Sequence, residues 1–409
     1  SSRPANQDCN GPGHSAGPPG GIKMGNVYVL GTGMIKFGRY PEKTVPELGG
    51  EAALIALKDA GIGIKDVEMF ACGNLYQSNA MVGQRILQQI GQFGITVINV
   101  SNACATGSTA FREAYMSVAS GMYDIAMAVG VEQMGKQGLL GGAGGGDPAY
   151  STEGKLGSGL MPAVFGQAGI EHMRKYGTKL EHFAKISVKS HKHATKNPFS
   201  QYRNEVSLED VMNARMVGYP NTLYMCCPTG DGAAAAILVS EAKLKQLAGG
   251  RKRARVAASV LTSDPYTDRD LTFPDVSTLT RRASKQAYEK AGLGPKDIAL
   301  TELHDCFATA ELVHYENLGL CGDGEAGKFI DEGGGVHPGL GGKAPVNVSG
   351  GLLSKGHPLG ATGVANICEV VWHLTGDDRA KDRQVPNAKA GQAHVIGLGS
   401  ACTINILTV

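Results

Sequence analysis

The chain has 409 residues, of which 42% are hydrophobic and 19% charged, so it is long and apolar enough to bury a large core in two or three domains. Its formal net charge of +2 provides no general basic field, which argues against nucleic acid as the main partner. Its nine cysteines include no Cys-x-x-Cys pair, so we expect a reducing compartment and no structural zinc site. No apolar run reaches the roughly 20 residues that cross a bilayer, so we expect no membrane insertion.

The first elements predict a unit of alternating strands and helices. Residues 1–25 are rich in Gly, Pro and Ser, and we expect a disordered extension there, either a targeting segment or an added tail. From residue 26, β-rich runs alternate with helical stretches in the order NVYVLGTG, VPELGGEAALIALKDAGI, VEMFACGNL, GQRILQQIG and ITVINV. This alternation is typical of βαβ units that build a largely parallel sheet, and it predicts an N-terminal half at residues 26–145.

The pattern is then interrupted and later repeated. After the Gly-rich run GGAGGGDP (Gly141 to Pro148), the polar and locally basic residues 146–224 predict an inserted helical loop domain. The strand AAAAILVS resumes the first half within residues 225–248, and residues 249–409 repeat the alternation as a C-terminal half. The segment INVSNACATGSTAFREA corresponds to VNVSGGLLSKGHPLGATGVANICEV in the second half, which indicates a structural repeat.

This correspondence places Cys104 and His357 at matching turns between a strand and a helix, where open α/β sheets bind ligands. At a helix start, free amide N–H groups and the helix dipole favour a thiolate, and the small neighbours of Cys104 allow a substrate to approach. Local sequence alone leaves a buried packing cysteine equally open. His357 lies in SKGHPLGATG between a glycine and a proline, outside regular structure, where its imidazole can reach a thiol.

Two more segments contain groups that could take part in catalysis. ELHDCF ends a predicted strand, so His304 and Cys306 share one face and Asp305 the other. HVIGLGSACTINI contains Gly397 and Gly399, whose backbone N–H groups either approach an oxyanion or simply form a tight turn.

Other signals are weak. GTGMIKFG lacks the third glycine of a dinucleotide fingerprint, because Lys36 stands in its place. His191 and His193 lack further metal ligands, and Cys226 and Cys227 are expected to pack at a strand entrance. The basic stretch from Arg174 to Lys196 is usually a solvated helix face, although it could also meet the phosphates of an anionic cofactor.

In combination, NACATGSTA, HDCF, SKGHPLGATG and GLGSA resemble the thiolase superfamily, specifically the sterol-carrier-protein type of 3-oxoacyl-CoA thiolase, from about Val27 to the end. The resemblance implies a five-layered α/β fold of two repeated halves with an inserted loop domain. It also implies a homodimer that takes acyl-CoA and CoA as substrates, with no metal and no bound cofactor. Some members carry an additional sterol-carrier domain that is not found here, so lipid transfer is not expected.

The resemblance also implies roles for individual residues. Cys104 corresponds to the nucleophile that becomes acylated, and His357 to the histidine that takes the thiol proton and then joins an oxyanion hole. His304 stands where ordinary thiolases have the Asn of Asn-Glu-Ala-Phe, and it resembles a second donor to that hole. The N–H groups of Gly397 and Cys104 correspond to the other oxyanion hole.

The end of the chain departs from ordinary thiolases, which carry a catalytic Cys-x-Gly. Here Val395 stands two residues before Gly397, and Cys402 is too far along to substitute simply. Cys306 of HDCF is therefore the expected acid and base, as the subfamily resemblance also implies.

Three functions remain open from the sequence. They are a 3-oxoacyl-CoA thiolase of fatty-acid or sterol side-chain β-oxidation, a decarboxylating ketoacyl synthase, and an acyl-CoA-binding protein with little turnover. The resemblance points to a peroxisome-type organelle or a mitochondrion without distinguishing between them.

Overall fold

The computed structural model describes residues 24–135, 161–247, 250–263, 274–398 and 401–409. The predicted extension at 1–25, apart from its last two residues, and the Gly-rich run at 141–148 lie outside these ranges. In chain order the strands are β1 Val27–Met34, β2 Met69–Gly73, β3 Thr96–Val100, β4 Ile125–Gln133, β5 Met216–Gly218, β6 Asn221–Thr222, β7 Asp231–Ser240, β8 Ala254–Thr262, β9 Leu300–Glu302, β10 Gly334–Gly335, β11 Lys343–Pro345, β12 Ala390–Gly397 and β13 Ala401–Thr408.

The helices match the predicted helical stretches closely. In chain order they are α1 Val45–Ala60, α2 Val82–Ile90, α3 Thr106–Ala119, α4 Met161–Tyr176, α5 Leu180–Ala194, α6 Leu208–Asn213, α7 Glu241–Leu247, α8 Pro274–Ala291, α9 Ala308–Asn317, α10 Ala326–Asp331, α11 Gly351–Lys355 and α12 Leu359–Thr375. Within the described ranges, no helix is both long and apolar enough to cross a membrane.

The nine-stranded sheet has the order β3-β2-β4-β7-β1 in the first half, continued by β8-β13-β12-β9 in the second. When each half is read outward from the boundary between β1 and β8, corresponding strands follow in the same order. Strand β9 thus matches β2, and its Thr301 forms a parallel bridge with Val346, at the position that β3 takes in the first half. The segment VNVSG, which the repeat predicts to be a strand, forms only this bridge among the described residues. The repeat of the two halves is still visible in the strand order.

The expectation of a largely parallel sheet was wrong. Strand β2 pairs in parallel with β3 and β4, and β12 does so with β9, whereas β1, β7, β8 and β13 make antiparallel pairs. For β12 and β13 the reason is connectivity, since they follow one another along the chain with Gly397 paired to Ala401, and strands joined by so short a connection run antiparallel.

Two helices form the middle of the molecule. Helices α3 and α12 pack on each other, and α12 contacts β4 and β7 of one half and β9 and β12 of the other. Helices α1 and α2 cover the outer face of the first half, and α8 packs on β8 and β13 of the second. These contacts give the alternating helix and sheet layers of the predicted five-layered α/β fold.

The close approach of α3 and α12 depends on glycine. A Cβ at Gly107 would lie 2.4 Å from the carbonyl oxygen of Gly360, and one at Gly363 would lie 2.3 Å from the amide nitrogen of Ser108. Any larger residue would force the helices apart. Because Cys104 precedes α3 and His357 precedes α12, this packing brings the two residues to the same place.

Helices α4 to α6 and the hairpin β5–β6 cover the second half, where α4 and α5 contact α9. They fall within the segment assigned from sequence to a loop domain at 146–224. The exact domain boundaries stay a prediction.

Candidate active site

Cys104 lies in a tight turn between β3 and α3. The hydroxyl of Thr106 accepts a hydrogen bond from the amide of Asn102 at 2.7 Å and donates one to the carbonyl of Ala103 at 2.6 Å. Ala103 has a φ of +47°, in the left-handed region that non-glycine residues rarely adopt. Such strain is found where a fold holds one side chain in a fixed position, here that of the following residue, Cys104.

Gly397, at the end of β12, lies directly against this turn. A Cβ there would be 2.5 Å from the carbonyl oxygen of Asn102 and 3.4 Å from the amide nitrogen of Ala105. Only glycine fits, so the backbone of β12 can approach the segment that carries Cys104. Gly399 lies outside the described residues.

His357 is held by one defined hydrogen bond. Its Nδ1 lies 2.8 Å from the hydroxyl of Thr362, and that hydroxyl donates its proton to the carbonyl of Pro358 at 3.0 Å. The hydroxyl must therefore accept the Nδ1 proton, which leaves Nε2 as the basic nitrogen. Nε2 is buried and has no hydrogen-bond partner among the residues that the structure describes.

His304 and Cys306 lie together, as predicted for alternate residues of an extended segment. The Sγ of Cys306 is 3.7 Å from Nδ1 of His304, and the Nε2 of His304 is buried without a partner. Asp305 turns the other way and accepts hydrogen bonds from the amides of Leu352 and Leu353 at 2.7 and 3.4 Å. It therefore ties the HDCF segment to α11, the helix that leads to His357.

Cys104, His304 and His357 converge, and Cys306 lies beside His304. The Sγ of Cys104 and one ring nitrogen each of His304 and His357 all lie within 4.8 Å of one another, and the two imidazole rings are 5.2 Å apart at an angle of 68°. The residue Cys104 is partly exposed, although its thiol lies in buried surroundings, and both histidines are buried. The local sequence leaves a packing cysteine and a nucleophile equally open, and this geometry is what a nucleophile and its base require.

Burial keeps the whole cluster uncharged. It raises the pKa of the Cys104 thiol to about 12, an effect that the hydrogen bond of its own backbone N–H only partly offsets. It lowers the pKa of His304 to about 3 and that of His357 well below its usual range, and it raises the pKa of Cys306 well above the ordinary value. The thiolate favoured by the helix start is not expected in the resting site, because desolvation raises the pKa of the Cys104 thiol.

Two more histidines extend the cluster inward. The backbone N–H of His304 donates to Nδ1 of His394 at 3.5 Å, and the rings of His394 and His314 are 4.4 Å apart. We call His357, His304, His394 and His314 the histidine row. Both nitrogens of His314 and the Nε2 of His394 are buried without partners, and burial lowers the pKa of both side chains well below the usual value.

Four contributors to this site were not predicted from the sequence. Thr362 orients His357, and its repeated Ala-Thr-Gly context, shared with Thr106, was the available signal. Cys227 was assigned only to packing, but its amide donates to the carbonyl of Cys306 at 2.9 Å and so holds that residue. His394 and His314 gave no recognisable signal, because they lie 80 residues apart in the sequence.

His193 and Lys189 of the basic segment have their partners outside the cluster. The ring nitrogens of His193 bond to the carbonyl of Asn347 and the amide of His337, and Lys189 forms a buried ion pair with Glu311. A cavity of about 240 Å³ is lined by Lys185, Lys189 and Lys192 of the basic segment, but it includes no residue of the Cys104 cluster.

Comparison with known proteins is consistent with this arrangement. The family described as thiolase, N-terminal domain, matches residues 27–216, and the one described as thiolase C-terminal domain-like matches residues 260–408. The chain belongs to the thiolase family. Members of this family are acyltransferases that act on acyl-CoA.

The relatives cover nearly the whole chain. Sterol carrier protein 2 of Bos taurus is 41% identical over 406 residues, which is 93% of this chain and 72% of the relative. The benzoylsuccinyl-CoA thiolase subunit BbsB of Thauera aromatica is 38% identical over 377 residues, 91% of this chain and 95% of the relative. The structure of human mitochondrial 3-ketoacyl-CoA thiolase matches with a TM-score of 0.70 at 19% identity, covering 94% of this chain and 99% of that one, and shows the fold alone.

Proposed function

We propose that this protein is a 3-oxoacyl-CoA thiolase, which transfers an acyl group through a Cys104 thioester to CoA and releases acetyl-CoA. The observation that carries the proposal is the position of the Cys104 sulfur within 4.8 Å of ring nitrogens of His304 and His357. Both histidines also have a buried Nε2 without a partner, so these atoms are free to act on a substrate.

In the first step, Cys104 attacks the C3 keto carbon of the substrate. Because the resting thiol is neutral, its proton passes to Nε2 of His357 as the bond between sulfur and carbon forms. The Nδ1–H of His357 keeps donating its hydrogen bond to the hydroxyl of Thr362, which stabilises the imidazolium. The N–H groups of Cys104 and Gly397 stabilise the negative charge on the former keto oxygen.

In the second step, the C2–C3 bond breaks and leaves an acyl group on Cys104 and the enolate of acetyl-CoA. The ring N–H groups of His304 and His357 donate to the enolate oxygen. His304 donates from Nε2 when the Cys306 thiol donates to its Nδ1, the arrangement that their 3.7 Å contact allows. Cys306 then gives a proton to C2, which completes acetyl-CoA.

In the third step, a second CoA releases the product. Cys306, now a thiolate, takes the proton of the CoA thiol, and the CoA sulfur attacks the thioester on Cys104. The Cys104 sulfur leaves as a thiolate and takes back the proton from Nε2 of His357, so the new acyl-CoA is released and the neutral cluster is restored. The role of Cys306 in two of the three steps favours a thiolase over a decarboxylating synthase, which has no obligatory need for this thiol.

The reaction belongs to β-oxidation of fatty acids or sterol side chains, in a peroxisome-type organelle or a mitochondrion. The relatives support acyl-CoA thiolysis in general, since one of them is named for benzoylsuccinyl-CoA and another for acetyl-CoA. The acyl group that this chain prefers is the next property to measure.

The experiment mixes the purified protein with acetoacetyl-CoA and CoA and follows loss of the 3-oxoacyl-CoA enolate absorbance. We expect no cleavage by Cys104→Ala, and accumulation of acyl-enzyme by Cys306→Ala. Cys321→Ala, which alters a partly exposed cysteine outside the cluster, serves as the matched control and should keep full activity. Normal cleavage by Cys104→Ala, or CoA binding without cleavage of this or a longer 3-oxoacyl-CoA, would refute the proposal.

We propose further that two copies of the chain associate through β3. This strand lies at the end of the nine-stranded sheet with its outer edge unpaired among the described residues, and its Ile98 is 37% exposed. An open edge strand is a template for pairing with another strand. Light scattering on the intact protein should give a dimer, and Ile98→Lys should shift it towards monomer.

A further inference from the structure

The atoms that suit acyl transfer also form a three-ligand set for a soft metal ion. The Sγ of Cys104 and ring nitrogens of His304 and His357 lie within 4.8 Å of one another. In a tetrahedral zinc site, ligands of these types lie about 3.3–3.6 Å apart, as follows from Zn–S and Zn–N bonds of about 2.3 and 2.0 Å. A movement of about one ångström would therefore close the set around an ion.

The two nitrogens are available for such a bond. Among the described residues, neither of the buried Nε2 atoms of His304 and His357 has a hydrogen-bond partner. An ion that binds these atoms therefore displaces none of the described hydrogen bonds. Buried ring nitrogens without a partner gain one when an ion occupies them.

The surroundings of both rings match those of metal-binding histidines. A histidine that binds a metal through one nitrogen usually donates its other ring N–H to a neighbouring oxygen. His357 does so already, through Nδ1 to the hydroxyl of Thr362 at 2.8 Å. At His304 the Cys306 thiol can accept from Nδ1 as well as donate to it, so this contact supports either tautomer.

The chemistry of the three ligands selects the ion. One thiolate and two neutral imidazoles suit zinc and other soft or borderline ions, whereas calcium and magnesium require oxygen ligands. The nearby carboxylate of Asp305 is already bound by the amides of Leu352 and Leu353, so it supplies no oxygen to the set. Three protein ligands leave a fourth position for water.

We infer that Cys104, His304 and His357 form an inhibitory site for Zn²⁺. On binding, the Cys104 thiol releases one proton to solvent and its sulfur forms a bond to zinc, while the two imidazoles each supply a lone pair and no group is oxidised or reduced. Zinc then occupies the nucleophile and the base together. The predicted loss of turnover rests on the proposed function, but the binding itself does not.

The test measures metal binding without substrate. The full-length protein, freed of metal with a chelator that is then removed, is titrated with Co²⁺ as a spectroscopic probe and with Zn²⁺ against a chromophoric chelator. We expect one equivalent to bind, with the near-ultraviolet charge-transfer band of a cobalt–thiolate bond. Cys104→Ala should abolish the band and weaken zinc binding by about 100-fold or more, while Cys321→Ala leaves both unchanged.

A second variant tests the geometry. Thr362→Val removes the oxygen that orients His357, and loss of such a supporting group weakens metal binding roughly 10- to 100-fold. Circular dichroism establishes that each variant is folded. Absence of binding to the unaltered protein, or binding that survives Cys104→Ala, would overturn the inference.

Comparison with a thiolysis assay separates the two proposals. Thiolysis that proceeds unchanged in free Zn²⁺ leaves the proposed function standing and removes the metal site. A cobalt–thiolate band that depends on Cys104, in a protein that does not cleave 3-oxoacyl-CoA, leaves the metal site standing and removes the proposed function.

Discussion

The hydroxyl of Thr362 offers the sharpest test of how the site works. It accepts a hydrogen bond from Nδ1–H of His357 at 2.8 Å and donates one to the carbonyl of Pro358 at 3.0 Å. Thr362→Val keeps the shape of the side chain and removes both bonds. His357 can then place its proton on either nitrogen, and a proton on Nε2 prevents it from accepting the proton of Cys104.

The size of the effect follows from the charge that His357 acquires during acylation. A hydrogen bond to a charged group contributes about 1.5–3 kcal/mol, and each 1.36 kcal/mol corresponds to a factor of ten. We therefore expect kcat to fall roughly 10- to 150-fold in Thr362→Val, with KM nearly unchanged, because the bond strengthens only when the ring is charged.

The assay is rapid-mixing measurement of Cys104 acylation by acetoacetyl-CoA, together with the rate at which iodoacetamide alkylates Cys104. Thr362→Ser, which keeps the hydroxyl, is the control and should retain most of the activity. If Thr362→Val acylates within about twofold of the unaltered protein, His357 is not oriented by this hydroxyl and the mechanism has to be revised.

Three further outcomes follow from the structure. Gly397→Ala should reduce kcat at least tenfold in the thiolysis assay, because the added Cβ would lie 2.5 Å from the carbonyl oxygen of Asn102. Unchanged turnover would contradict the tight fit of Gly397 against the turn that carries Cys104. Gly107→Ala should lower the free energy of unfolding by about 1–3 kcal/mol in urea, because its Cβ would meet the oxygen of Gly360 at 2.4 Å, and an unchanged midpoint would count against that packing. The histidine row should make the free energy of unfolding decrease as pH falls from about 6.5 towards 3, since the unfolded chain binds protons there that the folded chain, with a His304 pKa of about 3, does not. His314→Leu should make this pH dependence shallower by up to about 1.4 kcal/mol per pH unit, and identical slopes in the two proteins would disprove its contribution.

Much of the fold was accessible from the sequence because local patterns determine single elements. The alternation of β-rich and helical runs located β1 to β3 and α1 to α3, and the correspondence between INVSNACATGSTAFREA and VNVSGGLLSKGHPLGATGVANICEV marked the two central helix starts. Strand direction was not accessible, because it depends on connections such as the hairpin from β12 to β13. The strand predicted at VNVSG shrank to the bridge at Val346 for the same reason, since pairing depends on the neighbouring strand.

The site was accessible in part. The motifs identified Cys104, His304, Cys306, His357 and Gly397, and the structure brings all five together. Their catalytic roles stay predictions. The protonation state of Cys104 was not accessible, because burial arises from the packing of both halves and a helix-start motif contains no information on it. The contact of His394 with His314 likewise arises only when β12 and α9 meet.

The division of the site between the two halves has a practical consequence. Cys104 lies in the first half, whereas His304, Cys306, His357 and Gly397 lie in the second, after the segment that links β7 to β8. Among the described residues, the sheet joins the halves through Tyr28 with Arg255 and Val29 with Ala254, and α12 adds contacts to α3, β4 and β7 of the first half. If the chain is cut within that link and expressed as two polypeptides, we expect a fragment-complementation pair. Neither polypeptide should be active alone, so turnover would measure their reassembly.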